Sequence, residues 1–329
     1  MTAGPRGYAI AMPLRFRGIT SRQGMLWRGP AGWAEWSPFL DYSGPELVPW
    51  LAAADEAAET GWPEPVRDRV PVNCTVPATD PGRAHALVRA SGCRTAKVKV
   101  AERGQDLADD LARCEAVRGA LGPDGRLRVD ANGGWDVDAA YAALDRLRRF
   151  ELEYAEQPCA TVEELAALRR RLARGGLEVP IAADESIRRA EDPYRVAALE
   201  AADVAVLKVA PLGGVRAALR VAERLGLPVV VSSAVETSVG LRAGVALAAA
   251  LPELPYACGL NTLPLLAGDV VTNPLRAVDG ELPVEPLEVD EEALERYRMS
   301  EAEEAFWQAR LVRTRQLAAE PREQGPAGG

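Results

Sequence analysis

The sequence contains almost no histidine, and this scarcity narrows the chemistry available to the protein. His85 is the single histidine among 329 residues, and it lies in PGRAHALVRASG, a predicted helix away from every strand end. A surface or helix-packing role is the simplest interpretation of this residue. Histidine-based triads, histidine-ligated zinc and histidine general bases are therefore excluded, so a catalytic base must be Lys, Asp, Glu, Tyr or Cys.

Paired cysteines and long apolar runs are also lacking. The five cysteines are widely separated and form no CxxC motif, which argues against zinc ribbons and disulfide frameworks and favours a reducing, cytoplasmic environment. The N-terminus has no charged segment followed by an apolar run, so we expect no signal peptide. The run AGVALAAAL is too short to span a bilayer and is typical of a buried helix, so we expect no membrane association.

An excess of positive charge is absent as well. The chain has 39 Lys and Arg residues against 48 Asp and Glu residues, a net charge of −9. Proteins that bind nucleic acid need a basic face, so we expect no nucleic-acid partner, and no segment indicates a protein partner. Hydrophobic residues, in contrast, make up 48% of the chain, which is long enough for one large α/β domain and a smaller one.

Residues 1–75 do not follow the pattern of the rest of the chain. AIAMPLRFRG and AGWAEWSPF are predicted strands, and PELVPWLAAADEAAETGW is a predicted helix. Between the strands, GITSRQGMLWRGP is polar and punctuated by glycine, which predicts a loop or hairpin connection. Strands followed by a helix indicate a small α+β capping domain. We expect part of the C-terminal segment, about residues 285–320, to join this domain, and residues 321–329 to form a disordered tail.

Strands and helices alternate from Val72 onward, and we assign residues 76–284 to a catalytic domain. Seven strand-like segments are each followed by a helical one, and YACGLNT forms an eighth strand. One of these helices begins with a capping box, because Thr161 precedes Glu164 by three residues. Alternation of this kind requires a parallel sheet, and eight units favour a closed, TIM-type (β/α) barrel of the α/β class over an open sheet.

Five charged residues stand at the ends of five successive predicted strands, spaced 31, 26, 28 and 24 residues apart. This stride is the repeat of a barrel of roughly 250 residues, in which the active site lies at the C-terminal ends of the strands. The five residues are Lys99, Asp130, Glu156, Asp184 and Lys208. Three carboxylates that converge in a barrel mouth repel one another unless a cation lies among them, and hard oxygen ligands suit Mg²⁺, with Mn²⁺ as a substitute.

The lysines supply candidates for acid–base chemistry. Lys97 and Lys99 face the same side, because alternate residues of a strand do. Two ammonium groups so close are expected to depress each other's pKa, which favours a lysine that acts as a base near neutral pH. Lys208 reaches the centre of the ring from the opposite side. A KxK sequence alone would be a solvated strand edge, but its register with the other charged positions indicates a functional site.

Four further residues are weaker candidates for contacts with a substrate. Asn132 lies two residues after Asp130 on the same side of the strand, where it can hydrogen-bond a ligand. Ser232 and Ser233 follow the seventh strand as hydrogen-bond donors. Gly259, in the eighth strand, permits the close approach of a ligand because it has no side chain.

The charged residues lie in motifs that resemble those of the enolase superfamily, and more narrowly its muconate cycloisomerase-like subgroup, which has a lysine on each side of the site. The motifs are KVK at 97–99, VDAN at 129–132, EYAEQP at 153–158, AADES at 182–186 and LKVAPLGG at 207–214. The resemblance covers nearly the whole chain, including the capping domain. It implies an enolase-like barrel, a small carboxylate substrate and a magnesium ion held by the three carboxylates, as is general in this superfamily.

Within the subgroup, the length of the chain and PLRFRGITSRQGMLWRGPAGWAEWSPF are most similar to the o-succinylbenzoate synthase family of menaquinone biosynthesis. That family removes water from 2-succinyl-6-hydroxy-2,4-cyclohexadiene-1-carboxylate. The resemblance implies that Lys99 takes the proton α to the carboxylate and later returns it to the departing hydroxyl. It also implies that Mg²⁺ stabilises the enediolate, while Lys208 stays cationic opposite Lys99.

Other functions stay open at this point. An N-succinylamino acid racemase or a dipeptide epimerase would use the same lysines and carboxylates on another substrate. Such relatives tend to be longer, and an epimerase would be expected to carry an acidic group near the eighth strand, which YACGLNT lacks. A catalytically inactive barrel that acts as a binding protein is disfavoured because none of the five charged positions has been lost.

Overall fold

The N-terminal part of the chain forms a three-stranded antiparallel sheet with a helix packed against it. We analysed a computed structural model, which describes residues 4–16, 18–190 and 192–320. The strands lie side by side in chain order, and the helix follows them. Their bounds are β1 (Arg6–Phe16), β2 (Ile19–Arg28), β3 (Trp33–Trp36) and α1 (Leu47–Glu59).

Strand β2 corrects the prediction of a loop or hairpin connection over GITSRQGMLWRGP. This strand pairs with both of its neighbours and buries Met25, Leu26 and Trp27. Gly24 misled the prediction, because it leaves room for side chains next to it in the same sheet, Tyr8 of β1 and Ser37 after β3, rather than allowing the chain to turn. A Cβ atom at Gly24 would lie 2.5 Å from Cβ of Ser37. The chain instead reverses between Phe16 and Ile19, which pair in register.

Eight parallel strands form the barrel in the described part of the chain, and this confirms the TIM-type fold class. The first seven strands pair with one another in chain order, and the eighth pairs with the first. A parallel bridge between Ser232 and Gly259 closes the ring. The strands are β4 (Arg69–Val76), β5 (Thr95–Lys99), β6 (Arg126–Asp130), β7 (Leu152–Glu156), β8 (Ile181–Ala183), β9 (Val204–Leu207), β10 (Val229–Val231) and β11 (Cys258–Asn261).

Helices cover the outside of the barrel and follow every strand but the last. They are α2 (Pro81–Ser91), α3 (Leu107–Leu121), α4 (Val137–Leu147), α5 (Val162–Arg174), α6 (Glu185–Arg188), α7 (Arg195–Ala198), α8 (Val209–Leu212), α9 (Val215–Leu225) and α10 (Ser238–Ala250). The capping box at Thr161 is present. The segment DPYRVAALEAA, predicted as a full helix, forms only α7, because its chain turns through a positive φ of 50° at Glu200.

The C-terminal segment returns to both parts of the molecule. Strand β12 (Glu281–Pro283) pairs antiparallel with the beginning of β4, α11 (Glu291–Arg296) follows, and α12 (Glu301–Ala319) ends the described chain. Trp307 of α12 packs edge-on against Trp36 of β3, with ring centroids 5.6 Å apart.

The predicted domain boundary at 75/76 falls inside β4, because this strand already pairs with the neighbouring barrel strands from Val72 onward. The predicted tail, 321–329, lies outside the described residues. Within those residues, no helix is both long and apolar enough to cross a membrane.

Candidate active site

The charged residues predicted from the even stride lie side by side at one end of the barrel. Lys99 pairs in register with Asp130 across β5 and β6, and Asp130 pairs with Glu156 across β6 and β7. Asp184 and Lys208 each follow directly on the last residue of their strand. All five residues are at most 9% exposed. The parallel barrel therefore gathers into one arc residues that are far apart in the sequence.

The two lysines of β5 share one carboxylate. Oδ2 of Asp130 lies 2.6 Å from Nζ of Lys99 and 3.0 Å from Nζ of Lys97. Lys97 also donates to Oε1 of Glu156 at 2.6 Å, and Lys99 donates to Oδ1 of Asn132 at 2.6 Å. Asn132 holds a left-handed backbone conformation, with φ of 46°, which asparagine tolerates better than most residues.

The expectation that the paired lysines depress each other's pKa is wrong for Lys97. Burial lowers the pKa of Lys97, but the negative charges of Asp130 and Glu156 outweigh burial and raise it well above its usual value. Its closest partners are carboxylates rather than the neighbouring ammonium group. Lys97 is therefore a charged structural partner of Glu156 in this arrangement.

A second group of ion pairs forms on the opposite side of the arc. Oδ2 of Asp184 accepts from Nζ of Lys208 at 2.5 Å, and its Oδ1 accepts from Nε of Arg188 at 2.8 Å. Burial opposes the ionisation of Asp184, but Arg188 and Lys208 outweigh it and hold the pKa of this carboxyl well below its usual range. Burial also lowers the pKa of Lys208, against the attraction of Asp184.

Glu156 carries a buried oxygen atom, Oε2, that has no hydrogen-bond partner among the described residues. Burial, and then the negative charges of Asp130 and Asp184, raise the pKa of Glu156 to about 7. Among the described residues, no three His, Cys, Asp or Glu side chains are arranged so that they could hold a metal ion. Each of the three carboxylates is instead paired with a cationic neighbour. The unpaired oxygen and the clustered negative charge nevertheless fit a hard divalent cation.

A cavity opens over these ion pairs and brings eight of the predicted site residues together. They are Lys97, Lys99, Asp130, Asn132, Lys208, Ser232, Ser233 and Gly259. Glu156 and Asp184, which are 1% and 0% exposed, do not line it.

Gly259 and the two serines also have structural roles at this cavity. A Cβ at Gly259 would lie 2.7 Å from Oγ of Ser232, so the missing side chain lets β10 and β11 meet. Ser233 shares a hydrogen bond of 2.6 Å with Thr262.

Comparison with known proteins places this geometry in a family. The family model "Enolase C-terminal domain-like" matches residues 82–289, and "Enolase N-terminal domain-like" matches residues 7–58. An o-succinylbenzoate synthase of Thermobifida fusca is 64% identical over 322 residues, 98% of this chain and 99% of the relative. The chain belongs to the o-succinylbenzoate synthase family of the enolase superfamily. A second member, from Mycolicibacterium smegmatis, is 54% identical over 91% of each chain.

Solved structures of the superfamily share the fold. Muconate lactonizing enzyme from Pseudomonas fluorescens, complexed with muconolactone, has a TM-score of 0.76 at 23% identity and covers 91% of this chain and 99% of its own. Muconate lactonizing enzyme from Pseudomonas putida has a TM-score of 0.75 at 22% identity, with 91% and 100% covered. At this identity the likeness concerns the fold, an enolase-like barrel with a capping domain.

Several lining residues of this member of the family were not predicted from its sequence. Phe16 and Phe39 come from the capping domain, and the ring of Phe16 lies 5.3 Å from Nζ of Lys99. Thr75 is the second-last residue of β4 and pairs in register with Lys97, so the strand-end argument would have found it. Arg188 does not line the cavity but binds Asp184, and it lies four residues later on α6, a helical spacing from which this contact could have been predicted. No pattern marked Phe16 or Phe39.

Proposed function

We propose that this chain dehydrates 2-succinyl-6-hydroxy-2,4-cyclohexadiene-1-carboxylate to o-succinylbenzoate in menaquinone biosynthesis. The observation that carries the proposal is the 64% identity, over nearly the whole chain, to a protein named for this activity. The site supports it, because three lysines and Asp130 border one cavity, and Glu156 and Asp184 form ion pairs with two of those lysines. The substrate is a small carboxylate, whose negative charge the ammonium groups attract.

Lys99 is the proposed base. Its Nζ takes the proton α to the substrate carboxylate and then gives that proton to the departing hydroxyl group, so that water leaves and the ring becomes aromatic. One group serves both steps when the proton and the hydroxyl leave from the same face. Asn132 accepts from Nζ of Lys99 and donates to Glu185, so it orients the lysine while the proton moves.

Lys208 is the proposed electrostatic partner. Its ammonium group borders the same cavity and keeps a positive charge opposite Lys99 while negative charge develops on the substrate. Such a preorganised charge stabilises a transition state more than a ground state. Phe16 and Phe39 close the cavity from the capping-domain side and exclude water, which strengthens this interaction.

Asp130, Glu156 and Asp184 are the residues that would hold Mg²⁺, or Mn²⁺ in its place. The unpaired oxygen of Glu156 and the raised pKa of this carboxyl support the assignment. When bound, the ion would supply positive charge that stabilises an ionised carboxylate substrate as its α-proton is removed. The five cysteines, all free, support a place in the reducing cytoplasm.

Turnover by the purified protein tests the proposal. We expect the protein with Mg²⁺ to convert the cyclohexadiene carboxylate to the aromatic product, followed by the loss of diene absorbance and by mass spectrometry. The Lys99→Ala variant is the matched control and should be inactive. Aromatisation no faster than in buffer would refute the proposal, and faster turnover of an N-succinylamino acid would favour the racemase.

A further inference from the structure

The loop between β10 and α10 forms one wall of the cavity. Four consecutive residues of this loop, 232–235, line the cavity that Lys99 and Lys208 border. The wall is held against the capping domain rather than by the barrel alone. Its position therefore depends on contacts between the two parts of the molecule.

Val235 holds this wall in a strained conformation. Its φ of 60° lies in the left-handed region, which a β-branched residue rarely adopts. The Val235 N–H donates to Oγ of Ser233 at 3.1 Å, and the Ala234 N–H donates to Oε2 of Glu236 at 2.8 Å. Strain of this kind persists only where surrounding contacts fix the backbone.

Arg22 of β2 supplies those contacts from the capping domain. Its Nε donates to the carbonyl oxygen of Val235 at 3.0 Å, and its Nη2 donates to the carbonyl oxygen of Ala234 at 3.2 Å. The same guanidinium donates to both the carbonyl and the hydroxyl oxygen of Ser37 and lies 4.5 Å from the ring centroid of Phe39. At 2% exposure, Arg22 joins two walls of the cavity, the barrel loop and Phe39.

Glu35 of β3 fixes the other end of the loop. Its carboxylate accepts from the backbone N–H of Thr237 at 3.2 Å and from that of Gly240 at 3.0 Å, at the start of α10. It also accepts from the hydroxyl groups of Tyr8 and Ser37, at 2.6 Å and 2.7 Å. The capping domain thus holds both the strained residue and the helix that follows it.

We propose that Arg22 is a positioning residue that sets the shape of the substrate cavity by holding Ala234 and Val235 in the strained conformation. The proposal rests on the dehydratase function and adds to it a determinant of substrate affinity outside the charged site. Lysine at this position keeps the charge but cannot reach both carbonyl groups and Ser37 at once, because it lacks the planar fork of donors.

The test compares Arg22→Lys with Arg118→Lys. Arg118 also donates to several backbone carbonyl groups, those of Gly122, Gly125 and Phe150, but it lies on the outside of the barrel. We expect Arg22→Lys to raise KM roughly tenfold and to change kcat less than about threefold, since it loosens a binding wall and leaves both catalytic lysines in place. Arg118→Lys should leave both constants unchanged.

Combining Arg22→Lys with a second substitution, Val235→Asn, distinguishes a positioning role of Arg22 from general damage to the fold. Asparagine adopts the left-handed conformation more easily than valine, so the loop should depend less on its hydrogen bonds from Arg22 in the Val235→Asn variant. In that background, Arg22→Lys should raise KM less than about threefold, compared with Val235→Asn alone. An equal KM increase in both backgrounds would show that Arg22 does not act through the strained residue.

If Arg22→Lys does not fold, Glu236→Ala probes the same loop from the barrel side by removing the acceptor of the Ala234 N–H, and an unchanged KM there overturns the proposal. Turnover with unchanged KM in Arg22→Lys, or an equal rise in Arg118→Lys, overturns it as well. Absence of turnover by the unaltered chain refutes the dehydratase function, and this proposal with it.

Discussion

Removal of the Lys208 side chain should separate the dehydratase activity from the racemase activity. We expect Lys208→Ala to lower the dehydration rate about 10²–10³-fold, because a positive charge that faces developing negative charge in a buried site is lost. With an N-succinylamino acid in D₂O, the variant should still exchange the α-proton on the face that Lys99 serves, as measured by NMR on both enantiomers. Residual dehydration in Lys99→Ala but not in Lys208→Ala would reverse the roles of the two lysines.

Single residues also show where prediction from the sequence succeeded and where it stopped. The strand-end rule located Lys99, Asp130 and Lys208, because a parallel barrel places every strand end at the same face. The rule carries no information on which side chains pair, so it missed that Lys97 binds two carboxylates. It also missed Phe39, whose place in the cavity depends on how the capping domain sits on the barrel.

A substitution and a chelator test the proposed cation site. Asp184→Asn should abolish magnesium-dependent activity and weaken magnesium binding in a calorimetric titration, while circular dichroism shows the fold intact. Asp80→Asn is the control, because Asp80 is an exposed helix cap that asparagine replaces well. EDTA should silence the unaltered protein, and Mg²⁺ or Mn²⁺ should restore it. Full activity in excess chelator would contradict the assignment.

At the scale of elements, the predictions were accurate for the barrel and less so for the capping domain. The barrel strands are short apolar runs between capped helices, a pattern that is visible locally. Strand β2 was missed because Gly24 and the buried Arg22 are polar or small for reasons that lie in other elements. Helix α7 was predicted too long, because the apolar spacing gave no sign of the turn at Glu200.

The loop before α10 should make stability depend on pH. Burial and the charge of Glu35, against that of Arg22, raise the pKa of Glu236 from 4.5 to about 7. Between pH 4.5 and about pH 7, Glu236 of the folded chain keeps a proton that the unfolded chain has lost. The contribution of Glu236 to the free energy of unfolding therefore falls as pH rises, and it is fully lost above about pH 7.

Glu236→Gln removes this dependence and can still accept from the Ala234 N–H. Urea denaturation of both proteins from about pH 5 to about pH 8 should show the unaltered protein losing on the order of 2–3 kcal/mol relative to the variant. Parallel stability curves would contradict the assignment.

At the scale of the whole molecule, the C-terminal helix completes the N-terminal sheet. Trp307 is 1% exposed, packs against Trp36, and donates from Nε1 to Gln23 at 3.0 Å. We expect Trp307→Ala to lower the free energy of unfolding by about 3–5 kcal/mol, because it opens a cavity between the two ends of the chain. Phe306→Ala, at a neighbouring side chain that is 53% exposed, should change it by less than about 1 kcal/mol. Denaturation in urea measures both.

The packing of α12 on the first strands has a consequence for the order of synthesis. A ribosome makes β1, β2 and β3 first, and domains usually fold in the order in which they emerge. Here the earliest strands must wait for residues 301–319, the last helix of the described chain, before Trp36 is covered. A nascent chain released early can build the barrel strands and their lysines, but the sheet that bears Phe16 and Arg22 stays incomplete. The ability to enclose a substrate therefore arrives only after α12 has been synthesised.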